Sequence, residues 1–562
     1  MKNIIKLNTI GLFVIGIFFL SACEDSLDEM NINPYAIDLS NANPNMLMPS
    51  VLAPAAKNYV DLGYNDLAGA VQHTQKSGWF DQHNQYKWES RDWTGWYDIL
   101  RTNDLMMQRG EELGYDFFVG VGHAMRGFVF GNITDLWGDA PFSNALKGNQ
   151  GSAEFQYPAF DRQEDIYNGV IEDLQQAAQI FATGSNEGVT ATNDLYYSGN
   201  AALWHRFTNS LLLRYYMRLS EKKPDVAKAG IEAIYNSGIY LQNSGQDAAL
   251  DFTGGSDDVW LSRHTLQSPD DFQRYQAAQT LIEQLKDTGD PRLTVWFDSV
   301  RVQWVADPTL ATAVEDFIRA DGEPRDVLTY SFDHFVFEEA GVKFTRRFNP
   351  NRVSYNTDLY IGLPPAISNP AAYNGNPSPG QGTQNQHISQ LAPIYATAGS
   401  AGDLLKARII SSAEVSFILA EAALKGWAVG DAATHYNNAI KNSLDAWGKG
   451  DAYTTFISRP DVRFNNTLER IITQKWVASW TSAVESFLDY RRTGLPELET
   501  GPGADHPVVS LRFRYGNDEY SNNGTNLNAA LERLEITPFS GAVGADSPWS
   551  KPWVLQGTGK PW

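Results

Sequence analysis

The stretch from Ser77 to Trp93, SGWFDQHNQYKWESRDW, gathers residue types suited to holding a polyhydroxylated ligand. Trp79, Phe80, Tyr86 and Trp88 follow no helical stripe and alternate with Asp81, Gln82, His83 and Asn84. An aromatic ring covers the C–H face of a sugar while amides and carboxylates bridge its hydroxyls, so the segment is a candidate platform. The competing reading is that the rings pack this loop onto neighbouring helices. A second set, Trp304, Tyr355, Asn356, Tyr360 and Tyr373, lies where Pro, Gly, Asn and Tyr are dense. There the packing explanation is the stronger one, and Trp296, after Asp-Pro-Arg-Leu, reads as core.

Other chemistries find little purchase. Gly120-Val121-Gly122 with Gly127 lacks the spacing and the preceding strand of a dinucleotide loop, and reads as helices approaching closely through glycine. Ala398-Gly399-Ser400-Ala401-Gly402 is not a nucleophile elbow. The nine histidines never fall at metal-ligand spacing, so neither a metal nor a cofactor is expected. Carboxylate pairs such as Asp257-Asp258 and Asp270-Asp271 read as solvated acid; glycoside hydrolysis would need two carboxylates at a spatial separation that sequence does not give. Arg491-Arg492 in a last helical turn reads as a complement to the helix dipole.

The elements that must position these residues are mostly helical and come in pairs. The segment 92–113 places Trp93, Trp96, Tyr97, Leu100 and Leu105 on one face, and VGVGHAMRGFVFGNITDLW follows as its partner, stopped by Gly138 and Pro141. Residues 163–181 pair with 200–221, and a shorter helix follows Pro224. From about Tyr240 to Lys406 loops and short alternations such as KFTRRF replace the helical pattern, apart from DDFQRYQAAQTLIEQLKDTG. Helices resume at SSAEVSFILAEAALKGW and DAATHYNNAIKNSLDAWG, and end in one long helix, TLERIITQKWVASWTSAVESFLDYRRTGLP. Hairpins stacked in series suggest a tetratricopeptide-like scaffold, although no clean repeat is visible.

The N-terminus has a different role. Lys2 and Lys6 precede an apolar run ending in Leu20-Ser21-Ala22-Cys23, and Cys23 is the only cysteine in 562 residues. This looks like a bacterial lipobox, with residues 1–22 a signal peptide, Cys23 the lipidated anchor and 23–43 a polar tether. A net charge of −22 disfavours a nucleic-acid partner. With its one thiol lipidated, the chain forms no disulfide and relies on packing.

Four passages, taken in order, resemble the SusD/RagB family of outer-membrane nutrient-binding lipoproteins, in its SusD-like branch. They are MRGFVFGNITDLWGDAPFSNAL (125–146), ISSAEVSFILAEAALKGW (410–427), IITQKWVASW with ESFLDYRRTGLP (471–496), and RFRYGNDEYSNN (512–523). The resemblance implies a mainly α, tetratricopeptide-like fold with a large irregular, loop-rich insertion carrying short strands. It would form a single domain over 44–562: a helical scaffold at about 44–239 and 407–496, an irregular ligand-side region at about 240–406, and a C-terminal segment 497–562. It also implies a non-enzymatic protein, anchored in the outer membrane and facing outward, that captures oligosaccharides for a SusC-like TonB-dependent transporter. Peptide capture on the same scaffold, or less readily a surface glycoside hydrolase, are the alternatives. The family's ligand residues sit in no shared motif, so none is carried over, and the candidate residues rest on their chemistry alone.

Overall fold

The computed structural model describes residues 42–252, 274–315, 317–320, 323–326, 344–376, 385–395, 404–558 and 560. Cys23, the expected signal, the expected tether as far as residue 41, and the pairs Asp257-Asp258 and Asp270-Asp271 lie outside them; the last two tether residues belong to the fold, Ala42 being buried and Asn43 capping the first helix.

The chain is mostly helical, as the periodicity predicts. Helix α1 (Pro44–Asp61) starts from Asn43, whose side chain accepts the Asn45 N–H. Next come α2 (Thr94–Leu113) and α3 (Asp116–Trp137), joined through Gly114 in the left-handed region. They are followed by α4 (Gln163–Ala182), α5 (Ala201–Arg218) and α6 (Pro224–Ser237). Each of these six packs on the next, which is the serial hairpin stacking of a tetratricopeptide-like scaffold. After α7 (Gln279–Asp287), helices α8 (Ser412–Leu424) and α9 (Ala432–Ala446) form another pair, and α8 packs on α5 to close the two halves together. Ser411 caps α8 by accepting the Glu414 N–H.

Helix α3 is buried on nearly every side, and its glycines are what make this possible. A Cβ on Gly122 would sit 1.9 Å from Met107 Cγ, and one on Gly131 would sit 1.9 Å from the Tyr215 hydroxyl. The close-approach reading of these glycines therefore holds.

The final long helix of the sequence is two helices, α10 (Leu468–Ala478) and α11 (Val484–Thr493). The Ser479 hydroxyl donates to the carbonyls of Lys475 and Trp476, and Thr481 takes a φ of 69°, so the last carbonyls of α10 are capped and the chain turns. The apolar stripe reads straight across this break because Trp476 and Trp480 are both buried.

Strands are short. Strand β1 (Thr74–Lys76) pairs antiparallel with β3 (Tyr275–Ala277), and β2 (Ala248–Asp251) pairs with β8 (Lys406–Ile410). A four-stranded sheet in the irregular region has the order β4 (Val302–Ala306), β7 (Phe344–Phe348), β5 (Phe317–Ala320), β6 (Glu323–Asp326), with β4 and β7 parallel. β7 is the FTRRF part of the KFTRRF alternation. Tyr275–Ala277, which sequence places at the start of a helix, is a strand because its backbone is taken up by β1; the helix begins only at Gln279.

The helices are tied together by buried charge. Arg214 on α5 holds Glu414 on α8 through two bonds of 2.7 and 2.8 Å. Arg218 binds both Asp135 on α3 (3.1 Å) and Glu485 on α11 (2.7 Å). Lys475 meets Asp489 at 2.6 Å, and Arg492 grips Glu421 at 2.5 and 2.7 Å and Asp489 at 2.9 Å. Arg491 donates to the Leu511 carbonyl at 2.5 Å. Arg491 and Arg492 lie in the last turn of α11, as expected, but they are buried there: Arg491 meets a carbonyl from another segment, and Arg492 meets Glu421 of α8 and Asp489 of its own helix.

Burial alone would raise the Asp489 carboxyl, but Lys475, Arg492 and Arg218 outweigh it and hold it well below the usual range. A depressed folded value stabilises above the unfolded carboxylate pKa of about 3.9, and the benefit is lost as pH falls toward the folded value. Urea unfolding of wild type and Asp489→Asn should therefore show a stability gap that is full at pH 7 and narrows below about pH 4. A gap that stays constant down to pH 2.5 would mean that Asp489 is not held ionised by these partners.

Candidate ligand-binding cleft

The aromatic loop is built on the edge of β1. The Asn84 side chain mimics a neighbouring strand: its Oδ1 accepts the Lys76 N–H at 2.8 Å and its Nδ2 donates to the Lys76 carbonyl at 2.8 Å. This pair staples the base of the loop, and Asp81–Asn84 forms a single helical turn above it. Trp79 sits between strand and turn with a φ of 49° and is 59% exposed, among the most exposed large apolar residues described. One face of its indole is covered by the Arg274 guanidinium, 3.7 Å from the ring centroid.

A cleft of about 420 Å³ opens beside this ring. Asn65, Asp66, Lys76, Asp81 and Gln82 supply polar groups to its wall; Trp88, Tyr275 and His83 supply rings. Lys76 Nζ lies 4.9 Å over Tyr275, and His83 meets the same ring edge-on at 5.2 Å. His83 Nδ1–H donates to the Asn65 carbonyl at 2.6 Å, and Nε2 accepts from the Thr74 hydroxyl at 3.0 Å. Burial lowers its pKa to about 3, so the imidazole is neutral and structural. Burial raises the Asp66 carboxyl, opposed by the Arg91 guanidinium 2.6 Å away. The arrangement offers an indole face backed by a cation and rimmed by amides, a carboxylate and an ammonium, which suits stacking with directional hydrogen bonds.

The other loop residues divide by burial. Asp81 is exposed on the cleft rim, Phe80 is half-buried, and Trp88 closes the back wall, packed on Phe513 at 4.7 Å and Phe487 at 5.3 Å. Asn84 and Tyr86 are not on the surface. Both amide groups of Asn84 are spent on Lys76, and Tyr86 is wholly buried, its hydroxyl donating to the Thr500 carbonyl at 3.4 Å while its own carbonyl accepts from Ser510. These two side chains are placed to shape the loop, not to touch a ligand. Asn84→Ala should cost about 1–3 kcal/mol of stability through the unpaired Lys76 backbone. It should also loosen the Trp79 loop, which proteolysis of the native protein would register as faster cleavage within 77–84.

The second set forms a separate knot. Trp304 is 2% exposed and sandwiched between Tyr355 (4.4 Å, 16° between planes) and His387 (4.2 Å, 20°), with its indole N–H donating to the Asn374 carbonyl at 2.8 Å. It has no free face. The Tyr355 ring stacks on Trp304 and meets Phe348 edge-on, Tyr373 packs on Val300, Ile361 and Ile388, and Tyr360 leans on the main core. Asn356 is exposed, but its Oδ1 accepts the Asp358 N–H at 2.9 Å in a local turn. Trp296 is core, against Trp447 and Trp480, as expected. The irregular region reaches the cleft through backbone: Leu363 pairs with Ala278 just past β3, and Gln75 Oε1 accepts the Ala366 N–H at 3.0 Å.

Sequence reasoning missed Arg274 and Tyr275, which complete the cleft from about 200 positions away. Their signal is not local, since only the β1–β3 register places Tyr275 opposite Lys76. Among the described residues no group of His, Cys, Asp and Glu is arranged to hold a metal, and no helix is long and apolar enough to cross a membrane.

A family model described as starch-binding and associating with the outer membrane matches residues 36–307 and 366–516, well over half of the chain. The chain belongs to the SusD-like family. Its members are nutrient-binding proteins associated with the outer membrane. No curated protein matches the sequence. Among solved structures, a SusD homologue from Bacteroides fragilis shares 21% identity with a TM-score of 0.68, covering 92% of this chain and 99% of its own. A Bacteroides vulgatus protein, named for the outer membrane and nutrient binding, shares 23% at a TM-score of 0.69 over 92% and 100%. A chitin-binding protein shares 21% at 0.66 over 91% and 99%. These likenesses establish the SusD-like fold, and the first three of the four motif passages fall on the helices α3, α8, α10 and α11 that carry the buried charges.

Proposed function

We propose that this SusD-like protein captures an oligosaccharide on the open face of Trp79 and hands it to a SusC-like TonB-dependent transporter. The observation that carries the reading is the exposed indole, backed by Arg274 and set in a polar cleft. Starch-binding in the family description and chitin-binding in a fold relative support a glycan as cargo. In this reading Cys23 carries lipid, residues 23–43 form a tether, and the domain faces outward from the outer membrane. Asp81, Trp88 and Phe80 complete the binding surface, and the separate knot of Trp304, Tyr355, Asn356, Tyr360 and Tyr373 takes no part in it. The protein performs no bond cleavage; it binds with modest affinity so that cargo can be released to the transporter.

A glycan array probed with the soluble Cys23→Ala form tests this, with a peptide panel in parallel. Binding to a defined set of oligosaccharides is expected. Retention of peptides alone would move the reading to peptide capture, and turnover of fluorogenic glycosides by the purified protein would move it to an enzyme.

A further inference from the structure

A second cavity, of about 310 Å³, lies on the helical scaffold between α2, α3 and the loop 142–150. That volume is at the small end of ligand pockets and suits a single sugar ring. Its walls are strongly polar: Asp104 and Gln108 come from α2, Arg126 from α3, and Lys147, Asn149 and Gln150 from the loop. Phe142 and Phe130 form the apolar part, and the Arg126 guanidinium lies over both rings at 5.3 and 5.6 Å.

The cavity is held open by structure that does not depend on a ligand. The Asp161 carboxylate accepts three bonds from the start of the loop: the N–H groups of Phe142 (2.8 Å) and Ser143 (2.9 Å) and the Ser143 hydroxyl (2.8 Å). Leu146 then takes a φ of 66°, a conformation costly for a leucine, while its side chain packs on the core. Strain of this kind persists only where packing over-determines it, and here it redirects the chain just before Lys147.

The charges inside are unevenly matched. Arg126 is balanced from behind by Asp173 at 3.1 Å, and the Asp104 carboxylate accepts from Gln108 at 2.8 Å. Lys147 donates to the Ser143 carbonyl at 2.8 Å and lies 5.5 Å over Phe155, but among the described residues it has no carboxylate partner. In a chain of net charge −22, an ammonium without a carboxylate partner that lines the same concave pocket as a guanidinium marks a place for an anion on the loop side, with the Asp104 carboxylate, bonded to Gln108, on the α2 wall. The surrounding amides of Gln108, Asn149 and Gln150 both donate and accept, which matches sugar hydroxyls.

We propose that this cavity is a second ligand site, independent of the Trp79 cleft, that takes a carboxylate-bearing sugar of the uronate type. Lys147 and Arg126 receive the carboxylate and the three amides receive the hydroxyls.

D-galacturonate and galactose, titrated separately into the purified full-length protein and followed by saturation-transfer NMR, test the proposal. Galacturonate should bind and galactose should bind at least about tenfold more weakly, the worth of one charge-assisted hydrogen bond. Lys147→Gln should weaken galacturonate about tenfold, and Gln108→Ala should weaken it to a smaller degree, while Trp79→Ala leaves it unchanged. Both altered positions are at the surface, so the fold should survive, and circular dichroism checks this. The proposal is overturned if galacturonate does not bind, if Lys147→Gln leaves its binding intact, or if galactose binds equally well. Loss of galacturonate binding in Trp79→Ala alone would also overturn it, by placing that sugar in the first cleft. Failure of the Trp79 reading would show instead as neutral glycan binding that is indifferent to Trp79.

Discussion

Replacing Glu485 by alanine should lower the free energy of unfolding by about 3–5 kcal/mol, the cost of breaking a buried ion pair by removing one partner. Glu485 stands at the centre of the charge cluster, bonded to Arg218 at 2.7 Å and within 3.5 Å of Arg214. The cluster is balanced: Arg214, Arg218, Lys475, Arg491 and Arg492 face Asp135, Glu414, Glu421, Glu485 and Asp489. Taking one carboxylate away leaves an uncompensated cation in the interior, where solvent cannot screen it. Glu485→Gln keeps the shape and loses only the charge, so it should cost most of the same amount. Urea unfolding of both variants checks this. A loss below about 1 kcal/mol, the range of an exposed pair, would show that these charges are not load shared across the helices.

This cluster explains why the family-like passages are legible at all. Asp135 belongs to NITDLW, Glu414 and Glu421 to SAEVSFILAEA, Lys475 to ITQKW, and Glu485, Asp489, Arg491 and Arg492 to ESFLDYRRTG. Each buried charge requires a partner from another helix, and the chemistry therefore marks several distant segments at once. Helices with a clean apolar face, such as α2 and α4, were equally readable. Helix α1 was not: it carries Pro49 and Pro54 and has little amphipathic contrast, and only tertiary packing decides it. The break between α10 and α11 was hidden for the opposite reason, because the apolar pattern continues through a turn made by capping hydroxyls.

The candidate site was legible in part. The aromatic density around Trp79 is visible in sequence, but whether a ring points outward depends on local backbone. Asn84, Tyr86 and Trp304 have the right chemistry and the wrong side of the fold, because their polar atoms already bond to backbone groups. Arg274 and Tyr275 come from a distant strand, and no window of sequence connects them to Trp79.

Trp79→Ala should weaken binding of the array-selected oligosaccharide by about 2 kcal/mol or more, close to thirtyfold. The ring is exposed, so the substitution removes little from the folded state, and the loss should appear in affinity and not in stability. Arg274→Ala should give a smaller loss, because the indole stays but its backing cation, contributing about 0.5–2 kcal/mol, is gone. Trp79→Phe keeps an aromatic face of smaller area and should fall between wild type and alanine.

The most direct measurement is calorimetric titration of that oligosaccharide into wild type, Trp79→Ala and Tyr157→Ala, the last removing an exposed aromatic ring outside the cleft. Near-complete loss of heat in Trp79→Ala with a wild-type curve in Tyr157→Ala is the predicted result. Equal affinity in all three proteins would contradict the assignment of glycan capture to the Trp79 cleft.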